Sequence, residues 1–200
     1  MLFRSEGFRG AMQSANVLSY RIFVFERRQD GGFVPPPEYP GLAAASAATH
    51  DIATLKGLWL GTDIAWRRRL GLYPDRHALE ADAAERYRDR RLLLEALVQE
   101  GLLTQEQAGT LLREDGEPIY STELRDGILA YLAGSRARLT LVQLEDVISE
   151  TEQANLPGTI EAHPNWRRRL SRSLEQILEG EDLRRVAGLV EEGRRRAARA

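Results

Sequence analysis

Arg21-Ile22-Phe23-Val24-Phe25 decides the fold class. The run is almost continuously apolar and built from branched and aromatic side chains. That composition predicts a strand covered on both faces rather than one with a wet side. Asp30-Gly31-Gly32 and Pro35-Pro36-Pro37 end it, and a loop runs on to Pro40-Gly41. Upstream, Phe8, Met12 and Ala15 recur at helical spacing and predict a short helix over 6–15. Downstream, Leu42 to Ala48 is rich in alanine, which favours helix, yet it leads into a polar triplet. It is read as a short helix followed by a short buried strand.

The rest is mostly helical. Ile52 to Gly61 carries Ile52, Leu55, Trp59 and Leu60 near one face. Asp63 can cap a helix over 64–70, and Gly71 can close it. A long helix with Leu92, Leu93, Leu94, Leu97 and Val98 begins at a cap on Asp75 or Asp82 and ends at Gly101. Thr104-Gln105-Glu106-Gln107 fits a capping box. Leu124 to Leu132 is amphipathic and is closed by Gly134 and Ser135. Leu139 to Leu144 is extended in character, although helix is also compatible, and a last helical region starts at Ser171 and frays into a polar tail. Few buried strands among many helices make an α/β pattern, with too few strands for a complete barrel.

Bulk properties narrow the function. The 200 residues suffice for one real core. A net charge of -2 gives no electrostatic reason to expect nucleic acid or an anionic membrane surface as partner. Arg194, Arg195 and Arg196 are locally basic, but Glu191 and Glu192 offset them, which reads as a solvated helix end. The chain has no cysteine, so disulfides and thiolate chemistry are excluded and a reducing compartment fits. No apolar run reaches the length of a membrane span and no signal-peptide order is present, so the expected location is cytoplasmic.

Polar residues gather in two places. Thr49-His50-Asp51 stands between a strand-like segment and a helix. Asn155-Leu156-Pro157-Gly158-Thr159 and His163-Pro164-Asn165-Trp166 lie far downstream. Polar clusters at the ends of separated elements are how an α/β barrel builds a sugar-cleaving site. Asp51 is the lead residue, as a carboxylate able to hold sugar hydroxyls and favour developing positive charge. It could equally cap a helix starting at Ile52. Neutral His50 can donate to a sugar hydroxyl or serve as a structural histidine. Pro157 fixes one dihedral and Gly158 permits unusual ones, so the bend can aim the Asn155 amide at a ligand; an Asx turn is the plainer reading. Trp59, Trp66 and Trp166 could offer apolar platforms to pyranose rings, though Trp59 falls on a core face. His50, His77 and His163 lack compact metal-ligand spacing. Neither a phosphate-cradling glycine motif nor a nucleophile elbow is present.

Three ordered stretches resemble the 4-alpha-glucanotransferase (amylomaltase or disproportionating enzyme) family. They are Leu18-Ser19-Tyr20-Arg21-Ile22-Phe23-Val24-Phe25-Glu26-Arg27, Ala48-Thr49-His50-Asp51-Ile52-Ala53-Thr54-Leu55, and Glu152-Gln153-Ala154-Asn155-Leu156-Pro157-Gly158-Thr159, the last continuing through His163 to Leu170. The resemblance implies the C-terminal portion of a (β/α)8 barrel, incomplete and helix-rich, over residues 1–180, with a polar helical tail over 181–200. It implies a retaining, two-step transfer of α-1,4-glucan segments between maltooligosaccharides, with no cofactor and no metal. Asp51 maps onto the third of the family's three carboxylates, and His50 onto a sugar contact beside the cleaved bond. Asn155, Pro157, Gly158 and Trp166 map onto the substrate rim.

The departure is that the family's nucleophile lies upstream of Met1. Its acid/base, in a Gly-Glu-Asp-Leu-Gly segment, would also precede Met1. Glu6 and Glu26 are not substitutes. The expectation is therefore a chain inactive alone, with α-1,4-glucans and a missing N-terminal part of the enzyme as partners. The competing expectations are a non-catalytic glucan-binding or interaction protein and a plain helical scaffold.

Overall fold

The computed structural model describes residues 7–113 and 115–199. It is a mixed α/β, helix-rich fold around a three-stranded parallel sheet in the order β1-β2-β3, with β1 at Ser19–Ile22, β2 at Ala43–Ser46 and β3 at Leu139–Leu141. Tyr20 pairs with Ala44 and Ala44 with Leu139; Ile22 pairs with Ser46 and Ser46 with Leu141. These rows share one sheet face, and Arg21, Ala45 and Thr140 share the other.

β1 ends earlier than its apolar run predicts. Phe23–Phe25 closes into a 3-10 turn. A straight strand would set Phe23 and Phe25 on the same face. The turn instead buries Phe23, which is 1% exposed, stacked on Phe33 at 4.7 Å and edge-on to Tyr131 at 5.7 Å. Phe25 stays 66% exposed. Nor is the strand covered on both faces, since Tyr20 is 52% exposed.

β2 forms without the helix expected before it. Ala43 and Ala45 are completely buried, so close neighbours override alanine's helical preference. A short helix α1 (Phe8–Ser14) precedes the sheet; Glu6, where the predicted helix began, lies outside the described residues.

Between β2 and β3 come α2 (Leu55–Leu60), α3 (Thr62–Arg69), α4 (Arg76–Gln99), α5 (Gln105–Leu111) and α6 (Thr122–Ala133). Thr54, Asp75 and Ser121 cap α2, α4 and α6, and Thr104 forms its capping box with Gln107. Asp63 is not a cap. Gly61, at φ 80°, ends α2 and opens α3. Asp63 instead receives Arg86 through both oxygens at 2.9 Å, and Arg67 at 3.1 Å. Burial alone would raise its carboxyl, but the Arg86 hydrogen bonds and the two guanidinium charges hold it below its ordinary value. Arg86 also donates to the Leu58 carbonyl at 2.6 Å and Arg90 to that of Trp59 at 2.7 Å, so α4 is pinned to the end of α2.

After β3 come α7 (Leu144–Val147), a long loop, α8 (Leu174–Glu179) and α9 (Glu181–Ala197). α9 packs along α6, with Gly193 against Ala133 and Val186 buried. Buried Arg125 on α6 meets Asp182 of α9 at 3.1 Å, and Arg185 of α9 meets Asp126. Arg194 is not solvated: it donates to the carbonyls of Ser135 at 3.0 Å and Ala137 at 2.5 Å. Arg195 and Arg196 remain exposed beside Glu191 and Glu192. Among the described residues no helix is long and apolar enough to cross a membrane.

Candidate functional site

β2 and β3 are parallel neighbours, so the loops leaving their C-terminal ends lie side by side. The Ser46 hydroxyl donates to the Ala48 carbonyl at 2.8 Å and receives the Tyr20 hydroxyl at 2.8 Å, closing the end of β2. The next turn presents His50 and Asp51. The Asp51 amide donates to Thr49 Oγ1 at 3.2 Å. Asp51 is not the helix cap: α2 starts at Leu55, where Thr54 Oγ1 accepts from the Gly57 amide at 3.0 Å. Released from capping, Asp51 Oδ1 accepts from Asn155 Nδ2 at 2.7 Å, and Oδ2 lies 3.4 Å from His50 Nε2. The His50 ring stands 5.1 Å from that of Trp166, tilted by 49°. His50, Asp51, Asn155 and Trp166 therefore converge.

The second loop is held rigid from within. The Thr159 amide donates to the Leu156 carbonyl at 3.2 Å. Pro157 and Gly158 occupy the middle of this turn, and Gly158 takes the positive φ of 84° that such a turn demands. A Cβ at Gly158 would meet nothing within 4 Å, so conformation rather than space explains the glycine. Buried Gln153 donates to the Asn155 carbonyl at 2.6 Å. Asn155 forms no Asx turn, because the residue two positions on is Pro157, which has no amide hydrogen to give its Oδ1.

Asn165 knots the far side. Its Nδ2 donates to Thr159 through the carbonyl at 2.9 Å and Oγ1 at 2.8 Å, and its Oδ1 accepts from the Leu156 amide at 2.9 Å. That orientation makes Nδ1 of His163, 2.7 Å from the same Oδ1, the protonated nitrogen. The knot holds Trp166 at φ 60°, a costly setting for a bulky residue, with its amide bonded to the Ala154 carbonyl at 2.9 Å. The Trp166 ring is left 64% exposed.

Other candidates fall away from the surface. His163 is wholly buried, edge-on to Trp66 at 4.9 Å. Trp66 donates to Glu152 at 2.8 Å, and buried Trp59 donates to the Ile119 carbonyl at 3.0 Å. Glu26 is taken by Arg21 at 3.3 Å, and Glu6 lies outside the described residues. Among the described residues, no three histidine, cysteine or carboxylate side chains are grouped to hold a metal ion.

A cleft of about 710 Å³ opens beside Asp51 and Pro157 and is lined further along by Phe23, Trp59, Arg86 and Asp89. Most of its charges are paired: Arg86 with Asp63, Asp89 with Arg27 and Asp82 with Arg67, each at 2.9 Å. At the Asp51 end an exposed carboxylate, an imidazole, an amide carbonyl and an aromatic face stand together. That set suits a hydroxyl-rich ring with apolar faces.

Reading by residue type missed Gln153, Asn165 and Asp146. The first two lie inside the quoted motifs, where a buried amide and a ligand-facing amide look alike. Asp146 carries no local signal of burial in the sequence.

The family model described as 4-alpha-glucanotransferase matches residues 3–175. The 4-alpha-glucanotransferase of Haemophilus influenzae is 30% identical over 186 residues, covering 93% of this chain and 26% of the relative. The crystal structure of amylomaltase from Corynebacterium glutamicum superposes with a TM-score of 0.81 at 26% identity, covering 93% of this chain and 27% of that one. The amylomaltase from Streptococcus agalactiae, solved in complex with acarbose, shares the fold with a TM-score of 0.54 at 16% identity, over 96% of this chain and 29% of that one. The chain thus spans about a quarter of the length of the relatives it matches.

Proposed function

The chain belongs to the 4-alpha-glucanotransferase family, and we propose that it supplies one wall of a site that transfers α-1,4-glucan segments between maltooligosaccharides. The observation that carries the reading is the convergence of Asp51, His50, Asn155 and Trp166 from two separated motifs, closed by the 2.7 Å Asn155–Asp51 bond.

In a retaining double displacement, a nucleophile forms a glycosyl-enzyme and an acceptor hydroxyl then resolves it. Asp51 acts beside that chemistry. Its carboxylate holds sugar hydroxyls and gains strength as positive charge grows on the distorted ring. Asn155 fixes the carboxylate and keeps its own Oδ1 for a sugar hydroxyl. His50 donates from its ring nitrogen, and Trp166 lends an apolar face. Pro157 and Gly158 shape the turn that aims Asn155.

The nucleophile and the acid/base come from further polypeptide, for which this chain is the C-terminal portion of the barrel. The sheet supports that arrangement. β1 and β3 are its edges among the described residues, and Tyr20, Leu139 and Leu141 on the shared face are half-exposed. Parallel sheets are ordinarily covered on both faces, and closure into a barrel removes their edges. In this reading residues 1–180 are assigned to the barrel portion, and α9, packed on α6, to the helical tail that follows it.

The test is maltotriose disproportionation and maltooligosaccharide binding by the purified, folded chain. Saturable binding without a product ladder is expected, and binding is expected to weaken in Asp51→Asn. Absence of binding, or a ladder that survives Asp51→Asn, overturns the reading. Binding that persists without transfer, even when the rest of a family enzyme is supplied, favours a non-catalytic glucan-binding protein.

A further inference from the structure

The Asn155–Asp51 hydrogen bond lies at the exposed surface, where water competes for both partners and such a bond contributes little on its own. What brings the two residues together lies deeper, where residues 54–57 are stitched to residues 146–151. The Leu55 amide donates to Asp146 Oδ1 at 2.7 Å. Thr54 Oγ1 donates to the Glu150 carbonyl at 2.6 Å. Gly57 passes so close to the Thr151 carbonyl that a Cβ would not fit.

One of these contacts differs from the others. Asp146 is 1% exposed, and its second oxygen, Oδ2, is buried without a partner. A carboxyl with half its acceptor capacity idle is costly to bury. What it does is satisfy the first amide of α2, which Thr54 leaves open because its hydroxyl accepts from Gly57. An apolar side chain could not do this.

We propose that Asp146 is a positioning residue: it locks the start of α2 to the β3 loop and so sets Asp51, just upstream of Leu55, within reach of Asn155 on the loop that follows Asp146. The proposal rests on reading Asp51 and Asn155 as parts of one site. Asp146 acts through the α2 backbone and touches no substrate.

The lock carries a proton. Burial drives the Asp146 carboxyl upward, the Leu55 amide pulls it part of the way back, and Glu145 raises it further, to about 7. Tyr120 also lies within electrostatic range of Asp146, while the nearby Arg125 is committed to the Val147 carbonyl at 2.6 Å and to Asp126 at 2.9 Å. An ionised carboxylate makes the stronger bond to Leu55, so the seat of α2 responds to pH around neutrality. The His50 imidazole, 3.4 Å from Asp51 Oδ2, stands at the same junction.

The experiment follows the Asn155 side-chain amide by two-dimensional nitrogen–proton NMR on the full chain. Asp146→Ala is expected to move that amide to the position of a free asparagine while the backbone spectrum stays folded. Asp146→Asn, which keeps an acceptor for Leu55, is expected to restore it. In a His50→Gln background, the Asn155 amide is expected to shift in one step near pH 7, and Asp146→Asn is expected to abolish that step. An Asn155 amide unmoved in Asp146→Ala, or a pH step that survives Asp146→Asn, overturns the proposal. If Asp146→Ala does not fold, the pH comparison decides alone. Failure of maltooligosaccharide binding with these amide responses intact would sink the glucan-site reading and leave the positioning role standing.

Discussion

Asp51 and Asn155 stand 104 residues apart in the chain and share a 2.7 Å hydrogen bond from amide to carboxylate. Parallel pairing of β2 with β3 makes neighbours of the loops that carry them. The helices between the two strands are long enough to make the return crossover that parallel pairing requires.

Asn155→Ala should separate stability from recognition. The bond it removes is exposed, so the folding free energy is expected to change by less than about 1 kcal/mol in urea titration. Maltooligosaccharide binding is expected to weaken roughly tenfold, since a ligand contact and the anchor of Asp51 go together. Calorimetric titration of both proteins with maltotriose checks the second part; equal affinities would remove Asn155 from the site.

Two buried aspartates should bend the pH–stability curve in opposite senses. Asp63 is held below its ordinary value, so its contribution is present above the usual carboxylate range and is lost as pH falls through its folded value. Asp146 is raised from 3.8 to about 7, so the folded state binds the extra proton. Its contribution is complete below about pH 4 and is lost as pH rises through about 7, amounting to about 4 kcal/mol at most. Asp146→Asn should flatten the curve between pH 4 and 7 and Asp63→Asn its acid limb, both read from chemical unfolding at fixed pH. A wild-type curve rising steadily from pH 4 to 7, unchanged by Asp146→Asn, would contradict this assignment.

Gly57→Ala tests how closely α2 is seated. The added methyl would strike the Thr151 carbonyl oxygen. The expected cost is about 1–3 kcal/mol despite alanine's better helix propensity. A urea midpoint equal to or above that of the parent would show that the two loops are not pressed together here.

Gly193→Val tests whether α9 belongs to the folded body. Gly193 lies against Ala133 of α6, where a Cβ would overlap both side chain and backbone. The substitution is expected to lower Tm by several degrees, through about 2–3 kcal/mol of overpacking. An unchanged Tm would mean that α9 contributes nothing to the core.

Much of the helical frame was legible because capping is local chemistry. Thr104 with Gln107 and the glycine stop at Gly101 read correctly from neighbours within one turn, and Asp75 was one of two caps the local sequence allowed for α4. The reading went astray where distant partners outbid local preference. Phe23 left its strand to stack on Phe33, and Asp63 gave up a capping role for Arg86. Arg194 turned from solvent to the carbonyls that follow α6. In the site, residue type picked out His50, Asp51, Asn155 and Trp166. The framework residues Gln153, Asn165 and Asp146 stayed hidden, because burial of a polar side chain depends on what packs over it.

The sequence by itself determined the family, the α/β class and the chemical character of two polar motifs, because those rest on residue identity and short spacing. Only the tertiary structure decided that the motifs meet, that Asp51 is free of α2, and that Asp146 is sealed beneath them. Each of these depends on contacts between segments far apart in the chain. The amides, carbonyls and ring faces that satisfy a side chain at such distances become its neighbours only after the parallel strands have paired.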